Sequence, residues 1–238
     1  MRRALRTVIK MHETTLPALI AGYGANSREC ASIIRACNMQ EKAQRYRLLG
    51  YIGRAQSDVG THGDTDVVCS DETLESYVRA YPKVAIFIPI GDPAVKQQLK
   101  EKYSNQPNVL FPTLIHPTAI FMDADSVKFG QGCIVSAGSV ISISVTLGDF
   151  VYVNYGALIG HDTSIGDFCL INPNATISGS VCIGRDVIVG AASCIRQGLS
   201  VGNGSVIGMG ACIVKDVLPE SIMITKLPTI DMRKDVLL

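Results

Sequence analysis

Residues 147–188 read LGDFVY VNYGAL IGHDTS IGDFCL INPNAT ISGSVC IGRDVI, seven hexads that each open on an aliphatic residue. The register runs without insertion or slip from Phe129 through Val135 and Ile141 to Val201, Ile207 and Ile213. Four residues after each aliphatic position stands a small or β-branched side chain, among them Cys133, Ser139, Ala157, Thr163, Cys169 and Ala175, with only Leu199 oversized. The residue directly after it is glycine at Gly130, Gly148, Gly160, Gly166, Gly184, Gly190, Gly202 and Gly208. A helix returns apolar residues near every third or fourth position and an alternating strand every second, so a six-residue period fits neither. It fits a solenoid with a triangular coil: three short strands, each buried through one aliphatic side chain, joined by tight corners. The glycines are expected at those corners because a corner residue often requires a positive φ, which Gly accepts freely and Asn tolerates. Asn154 and Asn172 stand at the same phase. Three hexads make one coil, so residue i lies roughly 4.8 Å beneath residue i+18, the spacing of hydrogen-bonded strands.

Outward from the repeat, sequence texture changes near residue 115. We read an N-terminal extension over 1–15, a front domain over 16–114, the repeat domain over 115–218 and a tail over 219–238. In the front domain, residues 16–21 (LPALIA) predict a buried strand that leads through Gly22-Tyr23-Gly24 into a helix carrying Cys30, Ile33, Ile34 and Cys37, with Asn26 or Ser27 as its cap. A strand, a glycine turn and a helix N-terminus make a phosphate cradle, because free N–H groups and the helix dipole point at the ligand. The third glycine of a dinucleotide fingerprint is replaced by Ser27. The next strand, Tyr46 to Ile52, ends in Gly53-Arg54 where a nicotinamide-adenine site needs an acidic residue, so NAD is disfavoured. A Gly/Asp-rich loop is expected over 57–66, then a short strand at Val67-Val68-Cys69, a helix from Glu72 to Tyr81, an apolar strand from Val84 to Ile90 ending in Gly91-Asp92-Pro93, and a helix from Ala94 to Tyr103. Alternating strands and helices predict a small parallel α/β sheet with ligands at the carboxyl ends of its strands. His116 is read as a turn residue at the start of the repeat.

Composition narrows the functions. A net charge of +1 supplies no basic field, so nucleic acid is not an expected partner. The longest apolar run, Val84 to Ile90, contains Pro89 and is too short to span a bilayer, and the opening residues lack the apolar core of a signal peptide. The expected location is cytoplasmic. Eight cysteines lie at scattered spacings with no C-x-x-C pair, and no metal site is expected. Cys194 and Cys212, one coil apart, should stack on an outer face.

One histidine lies inside the repeat. His161, in Ile159-Gly160-His161-Asp162, falls two places after the aliphatic residue, a phase that should face outward. Gly179, one coil on, should leave room for a slender ligand. Acyl transfer to an amine or hydroxyl needs a base beside the nucleophile and donors for the oxyanion, and His suits the first role. Gly179 N–H and Asn154 are the candidate donors.

The hexads, the His161-Asp162 pair, the Gly22–Arg28 turn, the Gly91-Asp92-Pro93 loop and the exit Lys215-Asp216-Val217-Leu218-Pro219 together resemble the bacterial nucleotide-sugar acetyltransferases, a family that also includes sialic acid O-acetyltransferases. The resemblance implies a Rossmann-like front domain and a left-handed parallel β-helix, an exception to the right-handed crossover rule. It implies an acetyl-CoA-dependent N-acetyltransferase acting, without an acyl-enzyme, on the amine of a 4-amino sugar carried on a nucleotide, UDP in the first instance. It makes His161 the general base with Asp162 bonded to its ring. It implies coenzyme contacts at Asn154, Leu170, Gly179, Ala191 and Gly208, and nucleotide-sugar contacts at Asn26, Ser27, Arg28, Gly53, Arg54 and Gly91. Some members carry a second histidine where this chain has Leu170, and two acidic residues where it has Gly53-Arg54. A homotrimer is expected, since outward Cys182, Cys194 and Cys212 would otherwise stay wet. The alternatives are O-acetylation of a sugar hydroxyl, a non-catalytic scaffold, and a β-helix carbonic anhydrase, which would need zinc histidines that His161 lacks in the repeat.

Overall fold

The structure, a computed structural model, describes residues 15–40 and 45–224. Of the extension expected over 1–15 and the tail expected over 219–238, residues 1–14 and 225–238 therefore lie outside the described residues.

In the front half, β1 (Leu16–Ala21), α1 (Ala25–Gln40), β2 (Tyr46–Gly53), a 3-10 turn (Gln56–Asp58), β3 (Gly60–His62), β4 (Thr65–Ser70), α2 (Leu74–Val78), β5 (Val84–Phe87), α3 (Pro93–Ser104) and β6 (Val109–Leu110) follow in order. Their sheet runs β3-β4-β2-β1-β5-β6, parallel throughout except for the antiparallel β3–β4 pair. Three expectations need correction. The stretch 57–66 is not a plain loop: most of it forms the 3-10 turn and a hairpin whose outer strand, β3, is fully exposed. Helix α2 is shorter than Glu72 to Tyr81. Helix α1 starts at Ala25, so Asn26 and Ser27 lie inside its first turn and Gly24 precedes it. Ser27 instead buries its hydroxyl, which donates to the Ala21 carbonyl at 2.9 Å and ties the helix to the end of β1.

The repeat half winds as a left-handed parallel β-helix with three faces. Face I stacks Leu114–Ile115, Ile134–Val135, Tyr152–Val153, Leu170–Ile171, Ile188–Val189, Val206–Ile207 and Ile222–Met223. Face II begins at Ile120–Phe121 and ends at Cys212–Ile213; face III begins at Lys128–Phe129 and ends at Ser200–Val201. Residues pair with a shift of eighteen down most of each face, as Ile159 with Ile177 and Cys194 with Cys212. The aliphatic rungs and the small residues four places later form one buried cluster from Cys133 to Val217. Fully burying such a rung contributes about 1.5–3 kcal/mol, which is why the register tolerates no slip.

The corner glycines have a different cause from the one expected. Positive φ occurs three residues after the aliphatic position, at Gly132, Gly138, Ser144, Phe150, Gly156, Asp162, Phe168, Asn174, Ser180, Asp186, Ala192, Gly198, Gly204 and Gly210. The glycines one residue after it are not left-handed, and neither are Asn154 and Asn172. They are glycine because the next coil passes too close: a Cβ on Gly160 would stand 2.5 Å from the Gly179 nitrogen, and one on Gly166 would stand 2.7 Å from the Arg185 nitrogen.

The two halves share buried surface. Leu114, Ile134, Tyr152 and Leu170, the outward residues of face I, are buried in one cluster with Ile34 and Cys37 of α1 and Phe87 of β5. At the edge between faces III and I, the buried Lys96 of α3 donates to the carbonyls of Phe150 (3.1 Å) and Phe168 (3.4 Å), whose rings stack at 5.4 Å. Faces II and III keep their outward residues exposed, including Ile120, Leu158, Cys182, Cys194 and Cys212. His116 sits at the start of the repeat, where its Nδ1 accepts the Thr118 N–H.

Candidate active site

Two places carry chemistry, and in one chain they lie apart. The first is the edge between faces II and III. There the strand Leu158–Ile159 ends, the chain turns through Gly160-His161-Asp162-Thr163, and the strand Ser164–Ile165 begins. Asp162 holds φ 56°, a conformation that a short polar side chain tolerates. Its Oδ2 accepts from His161 Nδ1 at 2.8 Å, and both side chains are about half exposed. Because a carboxylate only accepts, Nδ1 carries the proton and Nε2 of the neutral ring is left to accept another. The backbone under the pair is fixed by Asp162 N–H donating to Ile143 O (3.0 Å) and Ser180 N–H donating to His161 O (2.7 Å).

Gly179 fits this site differently from the expectation. The space above it is not open: a Cβ there would stand 2.4 Å from His161 Nε2, because the imidazole lies across the glycine. Gly179 thus makes room for the base. Its N–H donates to no group among the described residues. Asn154 stands at the other end of the strand Leu158–Ile159, on the edge between faces I and II. It is buried, and its Oδ1 accepts the Tyr155 N–H at 2.8 Å. Ala191 and Gly208 share that edge, while Leu170 lies on face I. The five expected coenzyme contacts therefore divide between two edges and a face.

The second place is a cleft of about 330 Å³ at the carboxyl ends of β1 and β5, lined by Gly22, Gly24, Ala25, Asn26, Ser27, Pro89, Ile90 and Gly91. Gly24 has no side chain with which to cap α1, and the first turn holds no acidic residue, so the positive end of the dipole faces the cleft uncompensated. Of the expected contacts, Asn26, Ser27 and Gly91 line it; Arg28 is exposed one position along α1. Arg54 is exposed on the adjoining loop. Gly53 is buried: its carbonyl accepts the Asp71 N–H, and a Cβ would stand 2.6 Å from Asp58 Cβ, so it shapes that loop. On its other side the cleft reaches the repeat half, where a Cβ on Gly91 would meet Leu170 Cδ2 at 3.4 Å.

One group beside the cleft escaped the sequence reading. Tyr23, between the cleft glycines Gly22 and Gly24, donates its hydroxyl to Asp58 Oδ1 (3.3 Å) and stacks on His62 at 5.1 Å and 21°. Asp58 Oδ2 accepts the N–H groups of Arg54 (2.8 Å) and Ala55 (3.0 Å), and His62 Nε2 donates to the Asp58 carbonyl (2.6 Å). The backbone bonds, foremost that from Ala55, hold the Asp58 carboxyl below its ordinary range. A tyrosine flanked by glycines at the end of a strand was the available signal. Among the described residues no three His, Cys, Asp or Glu side chains gather as a metal site, and no helix is long and apolar enough to cross a membrane.

Residues 162–197 match the family described as bacterial transferase hexapeptide (six repeats). No curated protein sequence matches the chain. Among solved structures, the acetyltransferase domain of PglB from Neisseria gonorrhoeae, in complex with acetyl coenzyme A, is 27% identical; the match covers 88% of this chain and 96% of that one, with a TM-score of 0.76. PerB from Caulobacter crescentus, in complex with CoA and GDP-perosamine, is 24% identical over 87% of this chain and 92% of that one, with a TM-score of 0.76. WeeI from Acinetobacter baumannii is 20% identical over 88% and 96%, with a TM-score of 0.75. The last two likenesses speak for the fold. The chain carries a bacterial transferase hexapeptide repeat, and its resemblance to the left-handed β-helix nucleotide-sugar acetyltransferases, first read in the hexads, extends in three dimensions over both of its halves.

Proposed function

We propose that the protein is an acetyl-CoA-dependent N-acetyltransferase that acylates the amine of a 4-amino sugar carried on a nucleotide, UDP in the first instance, in bacterial glycan biosynthesis in the cytoplasm. The observation that carries this reading is the His161–Asp162 pair, half exposed on a β-helix edge with its imidazole lying across Gly179, whose N–H is unused. The likeness to the PglB acetyltransferase domain, with its acetyl coenzyme A, supports the choice of acyl donor. In this reading His161 Nε2 takes the proton from the acceptor amine as its nitrogen attacks the thioester carbonyl. Asp162 keeps the ring in the tautomer that permits this. Gly179 N–H donates to the developing oxyanion, and collapse expels the coenzyme thiolate, so no bond to the enzyme forms.

The cleft takes the diphosphate at the start of α1, with Asn26, Ser27 and Gly91 against the ligand and Arg28 and Arg54 at its rim. Cleft and base lie on different sides of one prism, so transfer requires the cleft of one protomer to meet the II/III edge of the next. This agrees with the homotrimer expected from the exposed apolar residues of faces II and III, Ile120, Leu158, Cys182, Cys194 and Cys212 among them. In such a trimer His161 and Gly179 of one protomer would flank the coenzyme together with Asn154, Ala191 and Gly208 of another. O-acetylation of a sugar hydroxyl is the alternative that the same base would serve. Thiol release from acetyl-CoA, measured against UDP-, GDP- and dTDP-linked 4-amino sugars and against free sialic acid, separates the two. Turnover with none of them would remove the proposal in favour of a scaffold.

A further inference from the structure

We propose that the stacked rings of Tyr23 and His62 form the shelf on which the nucleobase of the substrate rests, with Asp58 as the post that holds both. The proposal rests on the nucleotide-sugar reading of the cleft and assigns a part of the ligand to residues outside its lining. A nucleotide sugar has two ends with a diphosphate between them. The cleft binds the middle at the start of α1, and the end that reacts must leave toward the repeat half, which the cleft reaches where Gly91 meets Leu170. The nucleoside must leave the other way. In the order β3-β4-β2-β1-β5-β6, that is across β1 toward β2 and the hairpin, where the three residues stand.

Stability does not explain the group. His62 is exposed on an exposed edge strand, and Tyr23 is only half-buried in a turn between two glycines. Yet each is fixed: the Tyr23 hydroxyl donates to Asp58 Oδ1, His62 Nε2 donates to the Asp58 carbonyl, and the Asp58 carboxylate is anchored in turn by two backbone N–H groups. A rigid aromatic surface that buries little of itself is what a base requires for stacking, an interaction that tolerates any base because every base has a π-face.

Calorimetry on the full chain with UDP, GDP and inorganic pyrophosphate tests this. Tyr23→Ala should weaken both nucleotides by about 5- to 100-fold and leave pyrophosphate unchanged. His62→Ala, at an exposed position, should act in the same direction without touching the fold, and Tyr23→Phe, which keeps the ring but loses its bond to Asp58, should lose less than Tyr23→Ala. The shelf is wrong if folded Tyr23→Ala and His62→Ala bind both nucleotides like wild type, or if Tyr23→Phe loses as much as Tyr23→Ala. A wild-type protein that binds neither nucleotide would overturn the nucleotide-sugar reading itself, and the shelf with it.

Discussion

Replacing Gly179 by alanine should disable the base without touching it. The added methyl would stand 2.4 Å from His161 Nε2, 2.6 Å from Cε1 and 2.8 Å from Cδ2, whereas non-bonded atoms settle at about 3.5–4.0 Å. The ring must therefore retreat by about 1 Å or more, lengthening or breaking the 2.8 Å bond to Asp162. The backbone of Gly179 is not left-handed, so alanine itself is tolerated there. The ring is half exposed and free to move into solvent, so stability should fall little: about 0.5–1.5 kcal/mol for an off-rotamer side chain and about 0.5–1.5 kcal/mol for the hydrogen bond to Asp162. Activity is more sensitive, because a misplacement of about 1 Å can cost on the order of 10²-fold. We expect kcat to fall about 10²-fold, with KM for acetyl-CoA and acceptor little changed, in a thiol-release assay on folded protein. Gly160→Ala is the contrast. Its methyl would meet the Gly179 nitrogen at 2.5 Å and the Ser178 carbonyl carbon at 2.6 Å, backbone atoms that cannot retreat, so this variant should lose the fold. A Gly179→Ala enzyme with kcat within a few-fold of wild type would refute the reasoning.

Asp162→Asn should lower kcat by less than loss of His161 does, because it perturbs the ring's tautomer and leaves the ring in place; initial rates at saturating substrates decide. Light scattering at micromolar concentration should give the mass of a trimer, and a monomer would contradict both the assembly and the shared site. Lys96 yields a pH prediction. Burial lowers its pKa from 10.5 to about 8 in the folded protein, so between these values the unfolded chain holds a proton that the folded one has released, and stability rises with pH across that window. Below about pH 8 the charged form costs up to about 3 kcal/mol. Lys96→Met abolishes this slope and leaves the Phe150 and Phe168 carbonyls unpartnered, at about 1–3 kcal/mol. Urea unfolding at pH 7.5 and 10 should therefore show wild type gaining on Lys96→Met at the higher pH, and a constant difference would sink the argument.

The β-helix was legible because its burial rule is local and repeated: one aliphatic residue in six faces inward, and all of those from Val135 to Ile213 are buried. The corners were legible in position and misread in cause. Glycine at Gly160 or Gly166 answers a backbone one coil away, while the left-handed position three residues after each rung is filled by Gly, Ser, Asp, Asn, Ala and even Phe. No composition rule separates those demands, since both act through backbone geometry. His161 and Asp162 were found because adjacent residues share a corner. Asn154, seven positions earlier, lies on the next edge of the same chain, because a whole strand of face II intervenes. The Tyr23–Asp58–His62 group was missed because it joins three elements, and because β3 (Gly60–His62) lacks the apolar alternation that announces a strand.

The most direct test of the account is the turnover of His161→Ala with acetyl-CoA and the best nucleotide-linked amino sugar, measured on protein shown to be folded and of wild-type mass, with chemistry rate-limiting. General-base assistance is worth about 10²–10⁴ in rate, and the account predicts a loss of that order with both substrates still bound. Turnover within a few-fold of wild type would contradict it and reduce His161, Asp162 and Gly179 to one more corner of the solenoid.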